Sequence, residues 1–397
     1  MRRHPTLIRS AVKSLKASAA IVAVIDSQAY RTLSGDDLAR EVLHDVVSGL
    51  AQDASRVSTA FDKEIDTQKL EGIATDLVTA QISPATAVPR IKRELIAITK
   101  ATGNCAFVFL DDFHLLDWDE QPKILHLVHG ALKGANGWLK VAGLRSLLNH
   151  YSPRTHQGLQ VPGDAQRIPL DLTLENPEAA ETHLRNILES FLKAVGYSKS
   201  TGVIPTPVFR RLAWASAGVP RDFLQMFARA IEHARQNKHS IVTLSDVNGV
   251  IGEFGQKKTD DLNEDAGNAA GELQDLLSSL ESYCLDEKKT NGFLLKSENS
   301  DERRRVHILS DLRLVHLISQ STTPDRAGER YEAFILDYSL FTGFRRRPNI
   351  KEMVPNEGHF QFKASELRRL PKVFDGFLAR RLASETRPRS RSKGQKS

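Results

Sequence analysis

Short apolar runs and amphipathic stretches alternate along the first half of the chain. The apolar runs, rich in β-branched residues, predict buried strands at 19–26, 105–111, 137–144 and 165–174. The stretches between them repeat apolar residues at helical spacing, as in residues 34–51. Strands that alternate with helices indicate a doubly wound parallel sheet with helices on both faces.

The pattern changes in the second half of the chain. Residues 177–254 have a purely helical pattern and predict a compact domain of about four helices. Residues 256–272 are polar and contain glycine, which is typical of a linker. A helical stretch at 301–319 precedes a turn at 323–328 and a segment rich in Tyr, Phe and Ile. Helices that end in a β-hairpin predict a winged helix-turn-helix domain.

The second apolar run, "FVFLDD", ends in two adjacent carboxylates, Asp111 and Asp112. Two carboxylates at a strand end repel each other unless a cation or hydrogen bonds compensate, so the pair favours a metal. We predict that Asp111 holds Mg²⁺, directly or through water, and that Asp112 polarises an attacking water. The plain alternative is a strand that finishes at a solvated polar turn.

Two later segments carry groups suited to phosphate. The strand "WLKVAGL" ends in Arg145 and Ser146, where a residue that senses a γ-phosphate would lie. Gly218 and Pro220 open a helix whose first turn carries Arg221. The fixed charge of a guanidinium at such a helix start can reach nucleotide phosphates, although an ordinary surface arginine is the simpler interpretation of that residue alone.

The order of these segments resembles the AAA+ ATPases of the origin-recognition and replication-initiator type, which belong to the P-loop NTPases. "FVFLDD" is similar to a Walker B strand, "LKVAGLRS" to a sensor-one strand, and "GVPRDFLQMFARAI" to a sensor-two helix. The resemblance implies an ATP or ADP site between a core and a helical lid. It implies Asp111 on Mg²⁺ and Asp112 in place of the usual glutamate. It also implies Arg221 as sensor two, with Arg145 or Ser146 as sensor one.

The resemblance extends roughly over residues 6–345 and gives the expected domains. These are a truncated α/β nucleotide-binding core, a helical lid, a linker, a winged helix, and an extension with a basic disordered tail, at 1–175, 176–255, 256–272, 273–350 and 351–397.

A phosphate-binding loop of the form G-x-x-x-x-G-K-[ST] occurs nowhere in the 397 residues. Residues 6–17 predict the helix that would follow such a loop, which puts Arg3, His4 and Pro5 where Gly, Lys and Ser/Thr are needed. The strand before the loop is also missing, which would leave a gap in the sheet or force two predicted strands to pair. Three explanations are open: a chain that begins after the loop, a degenerate ATPase, or a misleading resemblance. We favour the first.

Positive charge is concentrated near the predicted winged helix and at the carboxyl terminus. The net charge is +6, and the tail "RPRSRSKGQKS" contains no acidic residue. Arginines at a recognition helix and a hairpin suit phosphate contacts and minor-groove insertion. The predicted DNA contacts are Arg303, Arg304, Arg305, Arg313, Arg326 and Arg330. The tail, 380–397, is predicted to be disordered and would add salt-sensitive affinity for double-stranded DNA.

Composition limits the class of protein. An apolar content of 40% and a charged content of 26% are ordinary for a soluble protein, and no run approaches the length of a membrane span. The amino terminus lacks the apolar centre of a signal peptide. Cys105 and Cys284 lie far apart and form no metal-ligand spacing, which favours reduced thiols. We therefore expect a cytoplasmic protein.

The function predicted from sequence is a molecular switch. ATP or ADP with Mg²⁺ would control the binding of DNA or of a partner, which includes a second copy or another ATPase subunit. ATP hydrolysis is expected to be negligible unless a phosphate-binding loop precedes the sequence given. The alternatives are a non-catalytic adaptor that uses the lid and winged helix for protein contacts, and a signal-transduction ATPase.

Overall fold

The structure is a computed structural model. It describes residues 20–61, 65–170, 172–197, 199–265, 270–298, 300–323, 329–342, 347–353, 362–373, 377 and 379. The chain divides into two compact units, Met1–Ile168 and Pro169–Ser397, and each is described by itself. The predicted helix at 6–17, with Arg3, His4 and Pro5, lies outside the described residues, as do Arg326 and the tail from 380.

Unit 1 contains a parallel sheet of three strands. They are β1 (Ile21–Asp26), β2 (Ala106–Asp111) and β3 (Gly137–Val141), in the order β1–β2–β3. A separate antiparallel pair, β4 (Tyr151–Ser152) and β5 (Gln157–Gly158), follows in the chain. The register places Asp26 of β1 level with Asp111 of β2. The predicted parallel sheet is therefore confirmed, and so are its first three strands.

One face of this sheet packs on helices. Alternate strand residues, such as Ala106, Val108 and Leu110, are buried in a single core with the helices. The opposite face carries Phe107 and Phe109, which are only partly buried. The helices are α1 (Gly35–Phe61), α2 (Gln68–Val78), α3 (Pro84–Thr102) and α4 (Gln121–Leu132).

Local signals explain the entry into β2. Helix α3 begins with a capping box, in which the Ser83 hydroxyl accepts a hydrogen bond from the Thr86 N–H at 3.2 Å. It ends at Gly103, whose φ of 69° is a conformation that glycine adopts without strain. The chain then turns directly into β2.

The predicted fourth strand, at 165–174, is wrong. The described residues of this segment contain no strand, and Ile168 and Leu170 are 71% and 86% exposed. A strand is stable only where a neighbour satisfies its N–H and C=O groups, and no described strand runs beside this segment. The sheet described here therefore ends at β3. Of the two outcomes expected from the missing strand, a gap in the sheet or pairing of β3 with 165–174, the pairing is not present among the described residues.

The first part of unit 2 is helical, as predicted. It contains α5 (Pro177–Ala194), α6 (Thr206–Ala215), α7 (Pro220–Gln236) and α8 (Leu244–Asp265). Helix α8 continues through most of the predicted linker at 256–272 because the segment has a buried side. Leu262 is 1% exposed, and Lys258 forms an internal ion pair with Asp337.

The carboxyl-terminal part of unit 2 contains a four-stranded sheet of β6 (Gly292–Lys296), β7 (Val315–Thr322), β8 (Tyr331–Leu336) and β9 (Lys372–Val373). Its strand order is β7–β8–β6–β9. Strands β7 and β8 pair in antiparallel fashion, which confirms the predicted hairpin. The helices of this part are α9 (Ala270–Glu281), α10 (Asp301–Asp311) and α11 (Ala364–Leu367). Of the residues described between β6 and β7, only α10 is helical. The winged helix-turn-helix stays a prediction.

The predicted helix at 301–319 is too long. Helix α10 ends at Asp311 because Arg313 adopts a left-handed φ of 64° and the Leu314 N–H donates to the Leu309 carbonyl at 2.9 Å. Residues from Val315 onward form β7. Arg313 therefore lies in a turn and not on a recognition helix.

None of the helices that the structure describes is both long and apolar enough to cross a bilayer.

Candidate functional site

Asp111 and Asp112 lie where β2 leaves the sheet. Asp111 is the last residue of the strand, and Asp112 turns the chain with a left-handed φ of 48°. Aspartate tolerates this conformation better than most residues because its short side chain bonds locally. The Asp112 N–H donates to Asp111 Oδ1 at 3.1 Å, which offsets part of the negative charge of that carboxylate. Hydrogen bonding therefore compensates the pair in part.

A third carboxylate, Asp26, belongs to the same edge of the sheet and was not singled out in the sequence. It ends β1 level with Asp111, and its Oδ1 accepts the Gln28 N–H at 3.0 Å. The signal was available, because β1 also reads as an apolar run that finishes in an acid. The carboxyl edge of this sheet is therefore acidic on two neighbouring strands.

The donors at this edge suit Mg²⁺ in kind. Within the described ranges, no group of three or more His, Cys, Asp or Glu side chains is arranged to hold a metal ion. Mg²⁺ usually binds one or two protein carboxylates and completes its shell with water and substrate phosphates. Asp111 and Asp112 provide such a partial set, whereas no glycine-rich loop in the sequence provides the phosphate cradle.

The segments that follow β2 and β3 are in direct contact. The Ala142 N–H donates to the Leu110 carbonyl at 2.8 Å, and the Phe113 N–H donates to the Ala142 carbonyl at 2.9 Å. Gly143 packs so closely that a Cβ there would lie 3.2 Å from the His114 backbone nitrogen. The structure therefore brings the segment that carries Arg145 and Ser146 beside the aspartate pair.

Gln121 of α4 forms hydrogen bonds with both the segment that follows β2 and the segment that follows β3. It is 1% exposed, and its Nε2 donates to the Leu116 carbonyl at 3.0 Å and to the Leu147 carbonyl at 3.2 Å. Its Oε1 accepts the Asn149 N–H at 2.8 Å. The short 3₁₀ helix Arg145–Leu147 is thereby tied to α4. This role was not predictable from the sequence, because a glutamine at a helix start is usually solvated.

In unit 2, Arg221 lies in the first turn of α7, as predicted. Its side chain is 51% exposed, and its Nε lies 3.7 Å from Asp222 Oδ1. The Asp222 side chain is only 6% exposed and is held by Arg313 at 2.6 Å. The guanidinium of Arg221 is thus accessible to a ligand at the start of a helix.

Gly218 sets the entry into α7. Its φ is 81°, and a Cβ at this position would clash with the carbonyl oxygen of Leu172. Only glycine meets both conditions, because other residues are strained at positive φ. The backbone conformation at the start of α7 therefore explains why glycine occupies position 218.

Arg303, predicted to contact DNA, binds a carboxylate of its own chain. Its Nε and Nη2 donate to the two oxygens of Glu332 at 2.9 and 2.8 Å. Burial raises the pKa of Glu332, but hydrogen bonds from His307 and Arg303 more than offset this and lower the pKa to about 2. Glu332 is therefore a strong internal partner for Arg303.

The other predicted DNA contacts divide into two groups. Arg305 lies 2.8 Å from Glu272, and Arg313 is engaged as described above. Arg304 and Arg330 are exposed. Of the predicted contacts that the structure describes, Arg303, Arg305 and Arg313 are therefore held by ion pairs within the chain.

Comparison with known proteins gives matches only among solved structures. No protein-family model and no curated protein matches the chain. Cdc6p from Pyrobaculum aerophilum is 12% identical, with 85% of this chain and 82% of that chain covered and a TM-score of 0.35. ORC1 from Aeropyrum pernix, solved in complex with DNA, is 14% identical, with coverages of 84% and 78% and a TM-score of 0.36.

The RuvB branch migration motor of Thermotoga maritima also matches, at 13% identity, with coverages of 65% and 73% and a TM-score of 0.26. Proteins of the AAA+ origin-recognition type, which the sequence resembles, are thus among the solved structures similar to this chain.

Proposed function

We propose that this protein is an AAA+-type nucleotide switch, in which ATP or ADP with Mg²⁺ controls binding to DNA or to a partner protein. One observation carries the proposal. The hydrogen bonds that join Leu110, Ala142 and Phe113 place the aspartate pair beside the segment with Arg145 and Ser146. An acid that can bind a metal, next to a polar group that can contact a phosphate, is one part of what nucleotide recognition requires.

Each predicted residue has a role in this proposal. Asp111 holds Mg²⁺, which neutralises phosphate charge when it is bound. Asp112 orients water near the metal. Ser146 or Arg145 contacts a phosphate oxygen in unit 1. In unit 2, Arg221 offers a fixed positive charge to phosphate.

The proposal is a binding switch with impaired hydrolysis. Asp112 is one methylene shorter than glutamate, so a water that it holds lies farther from the phosphorus atom. The sequence given contains no G-x-x-x-x-G-K-[ST] loop, so the charge and N–H groups that such a loop directs at the phosphates are missing from it.

A nucleotide titration tests the proposal. A fluorescent ADP analogue should bind in the presence of Mg²⁺, and Asp111→Asn should weaken binding about tenfold because one charged metal ligand is lost. Asp119→Asn, a change in an exposed aspartate of the next turn, is the matched control and should have no effect. Equal affinities for wild type and Asp111→Asn would show that Asp111 holds no nucleotide-linked metal.

A second candidate function is a non-catalytic adaptor. The internal ion pairs of Arg303 and Arg305 favour it, since these side chains already have partners within the chain. A gel-shift titration at several salt concentrations separates the two functions. DNA binding that weakens steeply with salt supports the switch, and no shift at low salt supports the adaptor.

A further inference from the structure

Arg313 makes an ion pair that its sequence position did not suggest. Its Nη1 lies 2.6 and 2.7 Å from the two carboxylate oxygens of Asp222. The side chain of Asp222 is 6% exposed and that of Arg313 is 21% exposed. Charge-assisted hydrogen bonds of this length, shielded from water, are stronger than surface ion pairs. The guanidinium of Arg313 is therefore held in a partly buried ion pair with Asp222.

The backbone of Arg313 is fixed where it delivers this side chain. Its N–H donates to the Ser310 carbonyl at 3.0 Å, and its carbonyl accepts a hydrogen bond from Lys258 Nζ at 3.4 Å. Lys258 is itself buried against Asp337 at 2.7 Å. The left-handed turn between α10 and β7 is thus tied to α8, so the ion pair with Asp222 is built into the packing of unit 2.

Asp222 is also the sequence neighbour of Arg221. Arg221 Nε lies 3.7 Å from Asp222 Oδ1, beyond hydrogen-bond length, and the Arg221 side chain is half exposed. An unpaired carboxylate at this distance would compete with any anion for the guanidinium of Arg221. Because Arg313 occupies both oxygens of Asp222, Arg221 keeps its charge and its donors for a ligand.

We infer that Arg313 is a positioning residue for a polyphosphate site at Arg221. By neutralising Asp222, it leaves the Arg221 guanidinium free to bind the phosphate groups of a nucleotide or another polyphosphate. This rests on the proposed function in one respect, the assignment of Arg221 to nucleotide phosphate. In this inference Arg313 acts within unit 2 and does not contact DNA.

Two ligands and four variants test the inference. Mg–ADP and inorganic tripolyphosphate are titrated against wild type, Arg221→Ala, Arg313→Ala, the double variant Arg313→Ala with Asp222→Asn, and Arg229→Ala. Arg221→Ala should weaken both ligands. Arg313→Ala should weaken them about fivefold, the effect expected when an exposed ion pair competes for one guanidinium. The double variant should recover wild-type affinity, because the competing charge is gone.

Arg229→Ala is the control, since Arg229 lies on α7 in an exposed pair with Glu232. It should leave both affinities unchanged. Circular dichroism establishes that each variant is folded. If Arg313→Ala does not fold, Asp222→Asn alone replaces it, and this variant should bind both ligands at least as tightly as wild type. Weaker binding by Asp222→Asn would overturn the inference.

The two ligands distinguish failure of the inference from failure of the proposed function. Loss of affinity in Arg221→Ala without loss in Arg313→Ala would overturn the inference and leave the function standing. Tripolyphosphate binding that depends on Arg221 and Arg313, without Mg–ADP binding, would support the inference and refute the nucleotide function. If neither ligand depends on Arg221, no anion site exists there and the inference is wrong.

Discussion

Replacement of Lys258 by methionine tests the buried charge network of unit 2. Lys258 Nζ lies 2.7 Å from Asp337 Oδ2, with the two side chains 4% and 0% exposed. Burial raises the pKa of Asp337, but the charge of Lys258 and the hydrogen bond from His316 more than offset this and hold the pKa well below its usual range. The Asp337 carboxylate therefore stays charged at neutral pH and needs its partners.

This geometry sets the expected loss in the free energy of unfolding of Lys258→Met. Breaking a buried pair by removal of one partner costs about 3–5 kcal/mol, because the remaining charge is uncompensated. The lower end, about 3 kcal/mol, applies here because His316 and Ser339 still donate to Asp337. Methionine keeps the apolar stem of the side chain, so the loss reports the charge and not a cavity.

Urea unfolding at pH 7, followed by circular dichroism, measures the free energy of unfolding. The matched control is Lys257→Met, since Lys257 is the exposed neighbour on the same helix. It should change stability by less than about 0.5 kcal/mol. A loss in Lys258→Met no larger than that in Lys257→Met would refute the claim that Asp337 depends on a buried cation.

Three further predictions follow from other contacts. Burial lowers the pKa of His316 despite its bond to Asp337, so the folded state resists protonation of this ring. The neutral His316 ring therefore contributes its full stability to the folded state above the pKa that histidine has in the unfolded chain, and this contribution is lost as the pH falls. Urea unfolding should show a free energy of unfolding that decreases below about pH 6.5, and His316→Gln should make this decrease smaller. Gly218→Ala should cost about 1–3 kcal/mol in the same assay because φ is positive and a backbone carbonyl blocks the Cβ; an unchanged midpoint would contradict this. Arg330→Ala should weaken DNA binding and reduce its salt dependence in gel shifts, whereas Arg303→Ala should mainly destabilise the fold. Loss of DNA affinity in Arg303→Ala, with no loss in Arg330→Ala, would contradict this and place the DNA contact on α10.

The sequence predicted those elements whose signals are local. Strands β1 and β2 are continuous apolar runs, which is typical of the strands of a parallel sheet. Strand β3 has a weaker signal, because Trp138 and Lys140 are exposed. The aspartate pair was recognisable for the same reason, since two acids end such a run. The start of α7 was also marked by Gly218, a residue with special backbone freedom.

The sequence could not predict features that depend on distant partners. Residues 165–174 have strand composition but no described strand beside them, and a strand is decided by its neighbour. The end of α10 depends on a left-handed arginine, Arg313, where a glycine would have been the expected signal. The ion pairs of Arg303 and Arg313 join residues 29 and 91 positions apart, which periodicity does not reveal.

The coupling between nucleotide and DNA tests the central claim most directly. DNA affinity is measured by fluorescence anisotropy at fixed salt, without nucleotide and with saturating Mg–ADP, and ADP affinity is measured with and without DNA. A switch requires both affinities to change by the same factor, about fivefold or more, because coupling free energy is reciprocal. Affinities that are the same in the presence and absence of the other ligand would contradict the account.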